Sequence, residues 1–159
     1  MPQAIATRWH SYDDVNVGDR IEGFGRTVTD AEITMITAMT TGFHQPLHTN
    51  AEWIRKNTAF AGTILPGPII VSYAIGLLSA TLVYSPITVA FLGLDKVRAK
   101  GPVVGGDTIT ANATVASKRL TSDGRNGIVE LAIEVVKQDG SIAMTFLYTL
   151  MVRTKGNAQ

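Results

Sequence analysis

An α+β architecture, with one long apolar helix set against antiparallel sheet, is what the sequence predicts. Two observations carry that expectation. The run from Ile69 to Val83 is almost wholly apolar and opens behind Pro68, a residue suited to the first turn of a helix. After Pro86 the pattern changes to strand-like segments, Thr88–Leu94, Thr108–Arg119, Gly127–Lys137 and Ser141–Val152. Turn-forming stretches separate them at Val104-Gly105-Gly106-Asp107, Ser122-Asp123-Gly124-Arg125 and Gln138-Asp139-Gly140. A buried helix beside a run of meandering strands makes a layered α+β fold.

Taken in order, Tyr12–Asp19 (YDDVNVGD) reads as an irregular lead-in and Arg20–Val28 as a first strand weakened by its glycines. Thr29-Asp30-Ala31-Glu32 has the spacing of a capping box, in which hydroxyl and carboxylate satisfy orphan amides at a helix start. Ile33, Ile36 and Met39 follow at helical spacing, so this helix is expected to run to about Thr41-Gly42. Gly42–Asn50 (GFHQPLHTN) reads as a shaped loop. Pro46 lacks an N–H and restricts Gln45, which bars a regular helix from carrying His44 and His48 on one face. Asn50 can cap a short helix over Ala51–Lys56, and the central helix is expected over Pro68 to about Val83. Within Gly127–Lys137 the residues Ile128, Glu130, Ala132 and Glu134 alternate with Val129, Leu131, Ile133 and Val135, a period of two with one more polar face. Lys155–Gln159 is expected to fray.

Composition sets further bounds. A chain of 159 residues, 45% hydrophobic and 17% charged, can bury one good core and is read as a single domain over residues 1–159. A net charge of +1 without Lys/Arg runs leaves no electrostatic footprint for nucleic acid, and Lys96, Arg98 and Lys100 read as a solvated strand face. The absence of cysteine excludes disulfides and thiolate metal sites, which fits a reducing compartment. MPQAIATRWH has no apolar leader, and Ile69–Val83 is too short and too interrupted by Ser72, Tyr73, Gly76, Ser79 and Thr81 to span a bilayer. The expectation is a cytoplasmic protein with neither a membrane nor a nucleic-acid partner.

The chemistry gathers in two places. Gly42–Asn50 holds His44 and His48, two of the three histidines, around Pro46. About twenty residues on, Leu65-Pro66-Gly67-Pro68 opens the central helix, whose positive end would direct the Gly67 N–H at an anionic oxygen. A histidine facing an oxyanion site suits acyl chemistry, so His48 and Gly67 are expected to face one cavity. His44 reads as a solvent-facing loop histidine, or as a partner of His48 if the loop is shifted by one residue. Gln45 reads as a loop brace. A zinc site at His44 and His48 is not expected, because neither cysteine nor a nearby carboxylate completes it.

Gly42–Asn50, Phe60-Ala61-Gly62, Leu65-Pro66-Gly67-Pro68 and Val97–Thr108 (VRAKGPVVGGDT) together resemble the MaoC-like (R)-specific enoyl-CoA hydratases, over roughly Tyr12 to Arg153 and in the right order. That resemblance implies a hot-dog fold, in which a curved antiparallel sheet wraps a long central helix, and a homodimer. It also implies addition or removal of water at the Cα–Cβ bond of a thioester carried by coenzyme A or an acyl carrier protein, with no cofactor. The family's loop reads Gly-Asp-x-Asn-Pro-(Leu/Ile)-His-x-Asp, with the first Asp and the His as the catalytic pair. Gly42, Pro46, Leu47 and His48 match it. Phe43 stands at the catalytic aspartate, Gln45 at the loop asparagine, Asn50 at the later aspartate, and Pro66 where many members have histidine.

These departures lie in the site and leave the fold inference intact. Phe43 can neither hold a water nor orient an imidazole, and reads as an apolar wall beside the substrate, with Gln45 and Pro66 as further lining. Three classes follow: a hydratase or dehydratase with an altered acid/base set, a hot-dog scaffold repurposed for another reaction or for binding, and a thioesterase. The third lacks support because Pro66–Tyr84 contains no Asp or Glu to activate water.

Overall fold

The computed structural model describes residues 7–40 and 45–157. Five strands, β1 (Arg20–Thr27), β2 (Thr88–Ala99), β3 (Thr108–Leu120), β4 (Asn126–Lys137) and β5 (Ile142–Arg153), form one antiparallel sheet in the order β1-β3-β4-β5-β2. Four helices precede or interrupt them: α1 (Asp30–Met39), α2 (Pro46–Thr49), α3 (Ala51–Asn57) and α4 (Gly67–Ser79). Helix α4 packs on β1, β3 and β4, the hot-dog arrangement. Its Ile70, Val71, Ala74 and Leu78 are buried against the inward residues of β3, β4 and β5, among them Ile109, Ala111, Leu131, Ile133, Phe146 and Leu150. Each fully buried aliphatic side chain of this kind contributes about 1.5–3 kcal/mol relative to exposure.

Local chemistry sets most element boundaries. Thr29 Oγ1 accepts the Glu32 N–H at 3.2 Å and Glu32 Oε2 accepts the Thr29 N–H at 2.9 Å, so the capping box starts α1 as read. Asn50 Oδ1 accepts from Trp53 N at 2.9 Å and starts α3. The alternation in β4 is also as read, with Val129, Leu131, Ile133 and Val135 inward. Gly23, which looked like a weakness in β1, sits where the sheet has no space. A Cβ there would lie 2.3 Å from the Ala111 carbonyl oxygen.

Several expectations are corrected. Helix α1, by contrast, ends at Met39 with Thr40 as its cap, close to the expected stop; Thr41-Gly42 lie outside the described residues. Helix α4 ends at Ser79, four residues before Val83. Thr81 Oγ1 donates to the Leu78 carbonyl, Leu82 takes a positive φ of 59°, and the Val83 carbonyl accepts from Trp9 N at 2.9 Å, so long-range pairing claims the residues that periodicity assigned to the helix. The strands are not a simple meander. β3, β4 and β5 pair in sequence, whereas β2 crosses to the far edge and pairs with β5. β2 also runs past Leu94 to Ala99, through an irregularity between Asp95 and Arg98 where Lys96 has φ 51°. The tail is tied down as far as Asn157: Lys155–Asn157 forms a 3-10 turn, and Thr154 Oγ1 donates to the Arg125 carbonyl at 2.8 Å. Among the described residues no helix is long and apolar enough to cross a membrane.

Candidate active site

Residues 46–49 form the one-turn helix α2, which corrects the reading of Gly42–Asn50 as a loop throughout. Pro46 occupies the first helical position, where its missing N–H would have been an orphan in any case. A proline that forbids a helix interior thus begins one here. The Gln45 carbonyl accepts from His48 N at 2.9 Å and from Thr49 Oγ1 at 3.1 Å, so the backbone of Gln45 braces the turn while the residue itself is exposed. Phe43 and His44 lie outside the described residues.

His48 is half-buried, with Nδ1 2.7 Å from the carbonyl oxygen of Ile64. A carbonyl only accepts, so Nδ1 carries the hydrogen of the neutral ring and the lone pair lies on Nε2. This is the tautomer that a general base needs.

The segment holding His48 is itself held. Ile64 N donates to the Leu47 carbonyl at 3.0 Å, Leu65 N donates to the Val103 carbonyl at 2.8 Å, and Ile64 bridges to Val104. Val104 N in turn donates to Asp107 Oδ2 at 2.9 Å, and Lys137 Nζ lies 2.8 Å from the same carboxylate while Gln138 Nε2 donates to Oδ1 at 2.9 Å. Burial acts to raise the Asp107 pKa, but the bonds from Gln138, Lys137 and Val104 N together with the Lys137 charge outweigh it, and the carboxyl sits below its ordinary value.

Directly after Leu65, buried Pro66 caps α4 with its carbonyl, which accepts from Ile69 N at 2.9 Å. Gly67 is the first helical residue, so its N–H falls outside the intrahelical ladder. Gly67 lines an apolar groove of about 510 Å³ with Ile75, Phe91, Leu94, Met144 and Tyr148, whereas His48 lines a pocket of about 170 Å³ with Thr34, Thr37, Ala38, Thr49 and Thr63. In the chain, Ile64-Leu65-Pro66 connects Thr63, which lines the smaller pocket, to Gly67, which lines the groove. Phe91 and Tyr148 stack across the groove with centroids 5.6 Å apart. Among the described residues no cluster of three or more His, Asp or Glu could hold a metal.

A Cβ at Gly67 would meet nothing closer than Met144 Cε at 3.7 Å, and its φ is not positive, so the fold has no need of glycine there. Gly67→Val should therefore leave thermal unfolding nearly unchanged while abolishing thioester binding or turnover. Unchanged kinetics would remove Gly67 from the site.

Two contributors escaped sequence reading. Asp107 looked like a turn residue, and Thr37 looked like one more polar residue on α1, although Thr34, Thr37 and Ala38 do share a helical face by spacing.

Among known protein families, the MaoC like domain matches residues 15–137. The chain belongs to the MaoC-like family. It is similar to the monoamine oxidase regulatory protein from Archaeoglobus fulgius, at 32% identity over 96% of this chain and 99% of that one, with a TM-score of 0.83. The (R)-hydratase from A. caviae involved in PHA biosynthesis is 27% identical over 86% of this chain and 96% of its own, with a TM-score of 0.68. The MaoC-like dehydratase from Rhodospirillum rubrum shares the fold at a TM-score of 0.81 and 19% identity, over 92% of this chain and 99% of that one. No curated protein matches the chain.

Proposed function

We propose that this MaoC-like protein adds water to, or removes it from, an enoyl or 3-hydroxyacyl thioester of coenzyme A or an acyl carrier protein, in the cytoplasm and without a cofactor. The observation that supports the reading is the His48 Nδ1 bond to the carbonyl of Ile64, which leaves the lone pair of the neutral ring on Nε2 and ties the histidine to a residue three positions before Gly67, the start of α4. In this reading His48 moves the proton, the Gly67 N–H stabilises the enolate-like charge on the thioester oxygen, and the groove at Ile75, Phe91 and Tyr148 takes the apolar acyl chain. His44, Phe43 and Gln45 are assigned to the substrate side of the loop on the family's pattern. Pro66 is assigned to the same side through its place beside Gly67. Incubation with crotonyl-CoA and longer or branched enoyl-CoAs, followed by mass spectrometry, tests the reading. A gain of one water supports it, whereas release of free CoA would mean a thioesterase.

A second reading keeps the scaffold without the reaction. Phe43 at the position of the catalytic carboxylate favours it, as does the regulatory name of the 32% identical relative. A bound CoA ester with no turnover would decide for it.

The dimer belongs to the same proposal. β2 is a sheet edge whose Val89, Phe91, Leu92, Leu94 and Val97 are exposed, and a row of unpaired backbone groups flanked by apolar side chains invites a second strand. A second copy along β2 would also roof the groove at Phe91 and Leu94. Light scattering should give twice the 17.0 kDa chain mass, and a clean monomer in dilute buffer would count against the pairing.

A further inference from the structure

Tyr148 is 7% exposed, and among the described residues no hydrogen bond reaches its hydroxyl. The oxygen is nevertheless open. Among the described residues, the side-chain oxygen that is both sealed and unpartnered is that of Thr37, so the unpartnered Tyr148 oxygen is one that solvent reaches. The opening that Tyr148 lines is the apolar groove of about 510 Å³, where the other polar side chain, Ser72, is exposed. Phe91 and Tyr84 pack against the Tyr148 ring, with centroids 5.6 Å and 6.5 Å away. Burial holds the hydroxyl above its ordinary value of 10.0, so at neutral pH it keeps its proton and can donate.

The groove has two ends. Gly67 and Met144 mark one, because a Cβ on Gly67 would lie 3.7 Å from Met144 Cε. Ile75 and Tyr148 mark the other: Tyr148 meets Tyr84 edge-on, and the Tyr84 hydroxyl donates to the Ile75 carbonyl at 3.4 Å. From 67 to 75 along α4 the rise is about 12 Å at 1.5 Å per residue. From 144 to 148 along β5 it is about 13 Å. An extended chain advances about 1.2 Å per bond, so roughly ten bonds separate a thioester carbon at Gly67 from an atom beside Tyr148.

We propose that Tyr148 is a substrate-recognition residue, its hydroxyl bonding an oxygen near the far end of the acyl chain, so that the groove takes thioesters oxygenated roughly ten bonds from the carbonyl. The inference rests on the reading of this groove as the acyl site. A plain alkyl chain of that length would strip water from the Tyr148 hydroxyl and give it nothing in exchange, and a buried polar group left unpaired is costly. A chain ending in a hydroxyl or keto oxygen restores the bond. Wholly apolar walls would have the opposite preference, since taking an oxygen out of water is unfavourable when no partner meets it.

Isothermal titration calorimetry with decanoyl-CoA and ω-hydroxydecanoyl-CoA tests this without requiring turnover. The hydroxylated chain should bind wild type roughly tenfold more tightly, the affinity equivalent of one hydrogen bond. In Tyr148→Phe the order should reverse in favour of decanoyl-CoA, with Tm unchanged because no bond within the protein is lost. ω-Hydroxyhexanoyl-CoA, whose oxygen stops short of Tyr148, should show no gain over hexanoyl-CoA. Equal or weaker binding of ω-hydroxydecanoyl-CoA to wild type, the same preference in the phenylalanine variant, or an equal gain at the shorter length overturns the assignment. If the preference is found yet no enoyl thioester is hydrated, the hydratase reading fails and the Tyr148 assignment stands. If neither decanoyl thioester binds, both fail.

Discussion

Replacing His48 by alanine should lower enoyl-thioester hydration by on the order of 10²–10⁴-fold, the range over which a positioned acid/base group acts. The loss should fall on kcat, because the ring's described contact is to the protein, through Nδ1 to Ile64, and not to a binding element of the large groove. The fold should persist. His48 is only half-buried, and the Ile64 N–H to Leu47 carbonyl bond and the Leu65 to Val103 bond still hold the segment without it. The converse experiment uses Phe43, where the resemblance to the family implies an aspartate. Phe43→Asp should raise hydration by supplying a carboxylate next to the histidine turn, and His48→Ala in that background should remove the gain, since groups acting as a unit are not additive. If His48→Ala retains near wild-type kcat while His44→Ala abolishes turnover, the chemistry belongs to His44 and the assignment of His48 is wrong.

The largest effect on stability is expected at Asp107. Its residue is 6% exposed, and its carboxylate takes Lys137, Gln138 and the Val104 N–H at 2.8–2.9 Å. Asp107→Ala strands the Lys137 ammonium in the same place, and removing one partner of a buried pair typically costs about 3–5 kcal/mol. Urea denaturation at neutral pH should show a loss of that order, and a loss below about 1 kcal/mol would mean the pair is solvated in solution. Adding Lys137→Met should return part of the loss. Because the folded carboxyl lies below its ordinary value of 3.8, its stabilisation is complete above that pH and disappears as pH falls through the lowered value. The difference between wild type and Asp107→Ala should therefore be flat at higher pH and shrink only in acid below that value. The same variant should also reduce turnover, since Val104 carries the bridge to Ile64, whose carbonyl orients His48.

How much of this was legible depended on range. The capping box at Thr29, the Asn50 cap, the β4 alternation and the glycine turns are decided by residues within a few positions of one another, and each appears where the sequence put it. Errors came where distant residues compete for the same backbone. Val83 left the central helix because its carbonyl serves Trp9, and β2 lengthened because β5 pairs with it as far as Ala99. Pro46 was misjudged for a different reason: the rule against proline inside a helix was applied to a residue that begins one.

The sequence by itself determined the fold class, because hydrophobic period and turn chemistry are local quantities carried by the chain, and the resemblance of its motifs gave the family and offered His48 and Gly67 as site candidates. Only the tertiary structure decided which nitrogen of His48 holds its proton, since the acceptor is sixteen residues away at Ile64. The same is true of the support that Asp107 and Lys137 give that segment, and of the buried hydroxyl of Thr37, which has no hydrogen-bond partner among the described residues. Hydrogen-bond partners across a fold, and the absence of one, arise from packing in three dimensions and leave no period in the sequence.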